Sequence, residues 1–259
     1  MILLVFEGKE REPKLFSAIE RLGLFKPARI ICSFCSDIQN LYERVKKLEG
    51  GVEGAADMVQ LLQLVRRDYP DDPIHSVTSA EISEIYLFFD CDLHNTNYSL
   101  DEQVVRLDKL LSLLGNEQEY GKLYISYPMI EAICYTGMLP DTNFEGYCSL
   151  ISDGKQFKNK AGNFPPYGSL DFLIPRDERK RDEVRSNWSH LVRQHRAKAQ
   201  RLCEVSAKER LTQKKLFETQ RDKHIIPNGE VAILASIPLF LYDCFKEEKR
   251  KELGFSLEE

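Results

Sequence analysis

Short apolar runs alternate with segments of helical spacing over the first 137 residues of the chain. Four of these runs have the length and the aliphatic or aromatic content of buried strands. They are Ile2 to Phe6, Ala28 to Phe34, Ile85 to Phe89 and Lys122 to Ser126. Strands that alternate with helices form mostly parallel sheets with helices on both faces. The sequence therefore predicts an α/β fold built on a mostly parallel four-stranded sheet.

The second half of the chain has a different pattern. Residues 138–174 are rich in Gly, Pro, Asn and aromatic side chains, whereas Pro175 to Lys223 is highly charged and carries apolar residues at helical spacing. A final apolar segment, Glu230 to Phe245, predicts a terminal helix that packs in the core or forms a surface for a partner or a second copy. We therefore predict a domain at residues 1–137 and a mainly helical C-terminal region at residues 138–259.

Acidic side chains follow three of the predicted strands. Glu7 follows the first, Asp90 and Asp92 follow the third, and Glu131 comes soon after the fourth, which ends at Ser126. The carboxyl ends of parallel strands meet at one edge of a sheet, and alternation along the third strand predicts Asp90 and Asp92 on one face, about 7 Å apart. Carboxylates this close repel one another unless a divalent cation lies between them. Hard oxygen ligands favour Mg²⁺ or Mn²⁺.

The same residues have simpler explanations when each is taken alone. A lone acid after a strand is typical of a helix cap or a solvated turn, and Asp is a favoured turn residue. The coincidence of Glu7 with Asp90 and Asp92 at equivalent strand ends favours the metal site. His94 comes two residues after Asp92. It could be an additional metal ligand, an acid or a solvated loop residue, and the sequence leaves these alternatives open.

Short motifs occur in a defined order along the predicted domain. They are Glu7-Gly8, Glu12-Pro13 with Phe16, Asp90-Cys91-Asp92 and Ser126-Tyr127-Pro128-Met129-Ile130-Glu131. In order, spacing and strand context they resemble the Toprim domain, the metal-binding fold of topoisomerases, bacterial primases, OLD-type nucleases and small ribonucleases. The details are more similar to the RloB-like, AbiL-like and PARIS-type Toprim proteins of bacterial phage defence.

This resemblance implies a Mg²⁺-dependent nuclease that hydrolyses phosphodiester bonds. Glu7, Glu12 and Glu131 would be the catalytic residues, with Glu7 as a general base or metal-associated acid and the other two completing or bracing the metal site. Asp90 and Asp92, together with Glu7, would hold the Mg²⁺ or Mn²⁺. Such metals activate water and stabilise the charge of an in-line displacement. The resemblance also implies a separate ATPase subunit, since defence Toprim nucleases of this type often act beside one; the chain has no P-loop motif of its own.

The charges of the chain are unevenly distributed. The stretch from Pro175 to Lys223 holds 15 Lys and Arg and eight Asp and Glu, a net charge of +7, so in a chain of net charge −5 the remainder carries −12. A basic helical stretch that includes Trp188, His190 and His195 is suited to following the phosphate backbone of DNA or RNA. The predicted nucleic-acid-binding residues are Lys9, Arg179, Arg185, Arg193 and Arg196. The alternative is a solvated amphipathic helix that packs through its apolar stripe, against this chain or a second copy.

The expected location is the cytoplasm, without a membrane partner. The first apolar run is too short for a signal peptide, and the longest one, Val231 to Tyr242, is too short to span a bilayer. The seven cysteines include one C-x-x-C, Cys32 to Cys35, but no set with zinc-binding spacing. The leading hypothesis is a Toprim nuclease that acts as an effector in anti-phage defence. The alternative is a non-catalytic Toprim-fold scaffold or regulatory subunit that binds a partner ATPase.

Overall fold

A mostly parallel sheet forms the centre of the computed structural model, which describes residues 1–25, 29–49, 57–164, 166–206 and 209–257. Its strands are β1 (Ile2–Phe6), β2 (Arg29–Ser33), β3 (Glu84–Asp90), β4 (Gly115–Asn116) and β5 (Gly121–Ser126). They are ordered β2-β1-β3-β5-β4, and only β4 runs antiparallel to its neighbour. The mostly parallel α/β sheet is confirmed, with five strands instead of four because the two-residue β4 is too short to leave a periodic pattern. Ala28, the predicted start of the second strand, lies outside the described residues.

Helices cover the sheet and form most of the C-terminal region. In the first half they are α1 (Arg11–Arg21), α2 (Ile38–Glu49), α3 (Met58–Val65) and α4 (Leu100–Leu113). The second half contains α5 (Phe157–Gly162), α6 (Arg181–Cys203), α7 (Gln213–Gln220), α8 (Ile226–Asn228), α9 (Ser236–Asp243) and α10 (Glu247–Leu253). A two-stranded antiparallel sheet, β6 (Cys148–Leu150) with β7 (Glu230–Ala232), lies among them. No helix among the described residues is long and apolar enough to cross a membrane.

The predicted terminal helix begins later than its apolar pattern suggests. Glu230–Ala232 pairs with β6 as β7, and α9 begins only at Ser236. Pro238 lies in the first turn of α9, where backbone N–H groups have no partner within the helix, so the missing donor costs nothing there. The side chains from Ser236 to Tyr242 are buried, which places α9 in the core of the chain.

One apolar core joins the sheet to the C-terminal helices. Phe240 of α9 lies 5.1 Å from Phe88 of β3 and 5.5 Å from Tyr124 of β5, measured between ring centroids. Trp188 of α6 is fully buried and donates its indole N–H to the carbonyl of Leu173 at 3.1 Å. The division at residue 137 remains a prediction, because packing of this kind occurs both within and between domains.

The register of the sheet aligns the carboxyl ends of its central strands. Phe6 pairs with Phe88, and Asp90 pairs with Ser126. The hydrogen bonding between β1 and β3 continues one residue further, because the N–H of Glu7 donates to the carbonyl of Phe88 at 3.0 Å. Residues that follow β1, β3 and β5 are therefore held at one edge of the sheet.

A buried histidine makes the stability of this fold depend on pH. His195 of α6 is fully buried, and its Nδ1 accepts the N–H of Ala235 at 3.0 Å. Burial, with a smaller effect from the charge of Lys198, lowers its pKa from 6.5 to about 3. Below pH 6.5 the unfolded chain therefore binds a proton that the folded chain does not. Between pH 6.5 and 3 this residue is expected to remove about 1.4 kcal/mol of unfolding free energy per pH unit.

Denaturant titrations of the wild type and of His195→Gln test this expectation. Glutamine can accept the same N–H but does not titrate, so the stability of the wild type should fall relative to the variant by about 2 kcal/mol between pH 7 and pH 5. Parallel pH profiles for the two proteins would show that His195 does not carry the effect.

Candidate functional site

An open cleft of about 580 Å³ lies at the carboxyl edge of the sheet. Most of its lining is charged. The acids are Glu7, Glu10, Glu12, Asp37, Asp90, Asp92 and Glu131, and the basic side chains are Lys9, Arg11, His94, Lys155 and Lys158. The structure thus brings together the acidic residues that the motifs single out, which are up to 124 positions apart in the sequence.

Glu7 is fixed by the backbone of two neighbouring strands. Its Oε2 accepts the N–H of Asp90 at 2.9 Å, and its carbonyl accepts the N–H of Cys35 at 2.9 Å. It does not cap the following helix, because α1 has Glu10 at its N-cap position and no side-chain cap there. The carboxylate is therefore held in a defined orientation against the end of β3.

The chain turns sharply after Asp90, so the expected alternation of side chains does not extend to Asp92. Asp92 has a φ of 45°, a left-handed conformation that Asp tolerates better than most residues. The prediction that strand alternation places Asp90 and Asp92 on one face is therefore wrong. Both carboxylates nevertheless line the same cleft. The N–H of Cys91 between them donates to the carbonyls of Ser126 and Pro128, which anchors the turn.

Gly8 gives Glu12 room to enter the cleft wall. A Cβ atom on Gly8 would lie 3.2 Å from Oε2 of Glu12, so a larger residue would press on this buried carboxylate. Backbone N–H groups of Gly8 and Glu12 lower the pKa of the Glu12 carboxyl, but burial outweighs them and the net shift is upward. A side chain at position 8 would therefore require the Glu12 carboxylate to shift by a few tenths of an ångström.

The cleft concentrates negative charge in a poorly solvated place. Burial, with the charge of Asp92 as the next cause, raises the pKa of Glu7 to about 8. The pKa of Asp90 is raised well above its usual value by burial and by the charges of Glu7 and Asp92. The pKa of Asp92 is raised by burial, and the opposing effects of His94 and Lys155 are too small to reverse this shift. A bound cation would relieve this repulsion.

The donor set fits a hydrated Mg²⁺ or Mn²⁺. These ions take hard oxygen ligands, and Mg²⁺ commonly keeps several waters while it binds one or two carboxylates. Glu7, Asp90 and Asp92 do not form one of the described groups in which three ligand atoms all lie within 4.8 Å of one another. At least one pair of their ligand atoms is therefore more than 4.8 Å apart.

Lysines from the second half of the chain reach the cleft. Gly154, in the turn after β6, has a φ of 48°, and a Cβ atom there would lie 3.3 Å from the His94 ring. This close approach brings Lys155 and Lys158 to the rim. Glu131 forms an ion pair with Arg11, and its carboxylate lies 3.9 Å from Nζ of Lys158.

The motif residue Ser126 has another partner. Its Oγ donates to Oγ of Ser236 at 2.8 Å and accepts the N–H of Ser236 at 3.2 Å. Ser126 therefore fastens the end of β5 to the start of α9 and does not line the cleft.

The predicted nucleic-acid-binding residues are dispersed. Lys9 is exposed at the cleft, and the side chain of Arg179 is 91% exposed and pairs with Asp177. Arg185 donates to the carbonyl of Leu22 at 2.9 Å, which holds α6 against the end of α1. Arg193 is partly buried, with Nη2 2.9 Å from Nδ1 of His190. These arginines do not line the acidic cleft.

Arg196 lies in the interior. It is 4% exposed, pairs with Asp243 at 3.3 Å and stacks over the ring of Tyr242. Trp188 and His195 are fully buried on the same helix. The prediction that Arg196, together with Trp188 and His195, follows a phosphate backbone is therefore wrong, because these side chains are buried. Helix α6 packs through its apolar stripe, as the alternative explanation of the basic stretch expected.

Comparison of the chain with protein-family models, with curated proteins and with solved structures found no match. The features of the chain that bear on its function are therefore the charged cleft, the alignment of β1 and β3 beneath it, and the motifs that contribute its residues.

Proposed function

We propose that the chain is a Mg²⁺-dependent Toprim-type endonuclease that hydrolyses phosphodiester bonds of nucleic acid. The observation that carries the proposal is the hydrogen bond from the N–H of Asp90 to the carboxylate of Glu7, made at the carboxyl ends of adjacent parallel strands. Asp92 lines the same cleft. The order of the Glu-Gly, Asp-x-Asp and Ser-x-Pro-x-x-Glu elements supports the assignment to Toprim proteins.

Each acidic residue has a distinct role in this proposal. Asp90 and Asp92, with Glu7, hold the Mg²⁺, which supplies positive charge for water activation and for the transition state when it is bound. Glu7 accepts the proton of the attacking water through the carboxylate that the N–H of Asp90 orients. Burial and Asp92 raise the pKa of Glu7 to about 8 in the absence of metal, and a bound cation would favour the ionised form that this role needs. Glu12 braces the turn at Gly8 from within the cleft wall. Glu131 keeps Arg11 and Lys158 at the rim.

The basic rim is the proposed binding surface for the phosphate backbone. Lys9, Lys155 and Lys158 are exposed and lie beside the acidic centre, so phosphates neutralised there are next to the carboxylates. Contacts to phosphate position a nucleic acid without reading its bases. The rim therefore suits DNA and RNA alike, and the choice between them is an outcome of the experiment below.

The biological role in the proposal is that of an effector in bacterial anti-phage defence. It is based on the similarity of Glu7-Gly8, Glu12-Pro13 and Ser126 to Glu131 to the RloB-like, AbiL-like and PARIS-type proteins. A separate ATPase subunit is part of the same proposal and is based on the same similarity; any ATP-dependent control would need such a subunit, since the chain carries no P-loop motif.

Metal-dependent cleavage by the purified chain tests the proposed activity. Labelled single-stranded DNA, duplex DNA and tRNA are incubated with Mg²⁺, with Mn²⁺ or with a chelator. We expect cleavage of at least one substrate with metal and none with the chelator. Glu7→Gln should lower the rate by about 10²–10⁴-fold, because the amide cannot accept the proton. Glu10→Gln is the matched control, since Glu10 is exposed in the same cleft.

Two results would contradict the proposal. One is full activity in Glu7→Gln. The other is the absence of cleavage together with a Mg²⁺ titration in which calorimetry detects no site that Asp92→Ala abolishes. The second result would favour the non-catalytic scaffold.

A further inference from the structure

A second cluster of ligating side chains lies outside the acidic cleft. Cys148, His224 and Glu230 each offer one donor atom, and the three atoms all lie within 4.8 Å of one another. Sγ of Cys148 is 3.9 Å from Nδ1 of His224, which is 2.9 Å from Oε1 of Glu230. All three side chains are partly buried. This is the described group in which three donors converge most closely.

The fold brings the three residues together from separate elements. Leu150 of β6 pairs with Glu230 of β7, so Cys148 and Glu230 lie diagonally on one face of the small sheet. His224 lies in a π-helical turn, Arg221–Ile225, that precedes α8. Turns of this kind are rare and occur often at functional sites.

The geometry differs from that of a catalytic triad. In a Cys-His-acid triad the thiol and the acid contact different nitrogens of the imidazole. Here the sulfur of Cys148 and the carboxylate of Glu230 both face Nδ1 of His224. The three donors therefore point to one shared position.

The spacing of the donors fits a tetrahedral ion. Tetrahedral bonds of about 2.3 Å to sulfur and about 2.0–2.1 Å to nitrogen or oxygen place a nitrogen and an oxygen ligand about 3.3–3.4 Å apart, and a sulfur and a nitrogen ligand about 3.5–3.6 Å apart. The observed separation of Nδ1 and Oε1, 2.9 Å, is about 0.4 Å shorter than the first value, and that of Sγ and Nδ1, 3.9 Å, is about 0.3 Å longer than the second. Side-chain shifts of a few tenths of an ångström would therefore complete the coordination. A thiolate with an imidazole is a donor set for Zn²⁺, whereas Mg²⁺ and Ca²⁺ prefer oxygen.

We propose that Cys148, His224 and Glu230 bind a Zn²⁺ ion through Sγ, Nδ1 and a carboxylate oxygen. On coordination the Cys148 thiol releases its proton to solvent and binds as the thiolate. The proton shared between Nδ1 of His224 and Glu230 is also released to solvent, and the neutral imidazole then carries its single proton on Nε2. The fourth position is open to a water molecule, because the His224 and Glu230 side chains are 19% and 24% exposed. This ion is distinct from the Mg²⁺ of the acidic cleft and does not depend on the proposed nuclease activity.

The zinc ion would tie together segments that are distant in the sequence. Cys148 is 76 residues from His224. The chain leaves β6 directly into the Ile151–Gln156 turn, which contains Gly154 beside His94. The ion would therefore stabilise the pairing of β6 with β7, after which the chain continues to Lys155 and Lys158 at the rim of the acidic cleft. Its addition should raise the midpoint of thermal unfolding.

Cobalt spectroscopy on the full chain tests the site. The protein is stripped with a chelator and titrated with Co²⁺, and then with Zn²⁺. We expect one thiolate-bound Co²⁺ per chain, counted by its thiolate-to-cobalt charge-transfer band, and displacement of that ion by Zn²⁺. Cys148→Ser should abolish the band, whereas Cys35→Ser, which removes an exposed thiol at the acidic cleft, should keep it.

Further variants separate this site from the acidic cleft and from misfolding. Asp90→Asn should keep the cobalt band even if it abolishes cleavage. Glu230→Gln preserves side-chain size and should weaken Zn²⁺ binding about tenfold or more in competition with a chromophoric chelator. The proposal fails if the wild type shows no band, if Cys148→Ser retains it, or if Cys35→Ser alone removes it. It also fails if Glu230→Gln folds as judged by circular dichroism and binds Zn²⁺ as tightly as the wild type.

Discussion

Asp90→Asn is expected to lower the rate of phosphodiester cleavage by about 10³-fold, equivalent to about 4 kcal/mol of transition-state stabilisation. Asparagine has nearly the same shape but carries no charge to hold the proposed Mg²⁺. The N–H of residue 90 remains, so the orientation of Glu7 should be retained. Initial rates on the preferred substrate at saturating Mg²⁺ give the measurement.

The same substitution should not destabilise the chain. Burial and the charges of Glu7 and Asp92 raise the pKa of Asp90, which means that its ionised form is costly in the folded state. In the presence of a chelator, Asp90→Asn should therefore unfold at the same temperature as the wild type or higher. Added Mg²⁺ should raise the melting temperature of the wild type but not that of the variant.

Asp71→Asn is the matched control, because Asp71 is exposed and does not line the cleft. It should leave both the cleavage rate and the response to Mg²⁺ unchanged. A rate for Asp90→Asn within tenfold of the wild type would contradict the role given to this carboxylate. An equal Mg²⁺-dependent rise in melting temperature for both proteins would contradict it as well.

The central strands, and the position of the acidic residues that follow them, could be predicted from the local sequence pattern. A run such as Ile85 to Phe89 is apolar at every position, as a strand buried on both faces requires, and the acid after it has to emerge at the sheet edge. Glu7 and Asp90 could therefore be assigned to one edge before their register was known. The observed pairing of Phe6 with Phe88 provides that register.

Other parts of the site depend on backbone geometry and contacts that no local pattern encodes. The left-handed conformation of Asp92 depends on the anchoring of Cys91, and strand periodicity cannot predict it. Lys155 and Lys158 reach the cleft only because a turn packs against His94. Because residues 138–174 have no regular spacing of apolar side chains, the sequence does not indicate that these two lysines lie at the cleft.

The stretch from Pro175 to Lys223 exposes less positive charge to solvent than its net charge of +7 suggests. The net charge of +7 counts Arg196, whose guanidinium is paired with Asp243 and stacked on Tyr242 inside the protein. It also counts Lys198, a buried side chain that donates to the carbonyls of Phe144 and Tyr147. A sum of formal charges does not distinguish such residues from exposed ones, so the rim of the cleft is the better candidate for phosphate contacts.

Phe240→Ala is expected to lower the free energy of unfolding by about 3–5 kcal/mol. The ring is fully buried. Its centroid lies between 4.9 Å and 5.7 Å from those of five other aromatic rings, which are Tyr86, Phe88, Phe25, Tyr124 and Phe16. Alanine would leave a cavity that this many rigid neighbours cannot fill. Urea denaturation followed by circular dichroism and by the fluorescence of Trp188 gives the measurement.

The two probes also test the boundary predicted at residue 137. Phe240 and Trp188 belong to the C-terminal region, whereas Phe88 and Tyr124 belong to the sheet, so a shared core should give one transition that shifts as a whole. Val105→Ala, a truncation at a half-exposed position of α4, should change the stability by less than about 0.5 kcal/mol. Two separate transitions, of which Phe240→Ala shifts only one, would show that the sheet and the C-terminal helices fold as independent domains despite the contacts of Phe240.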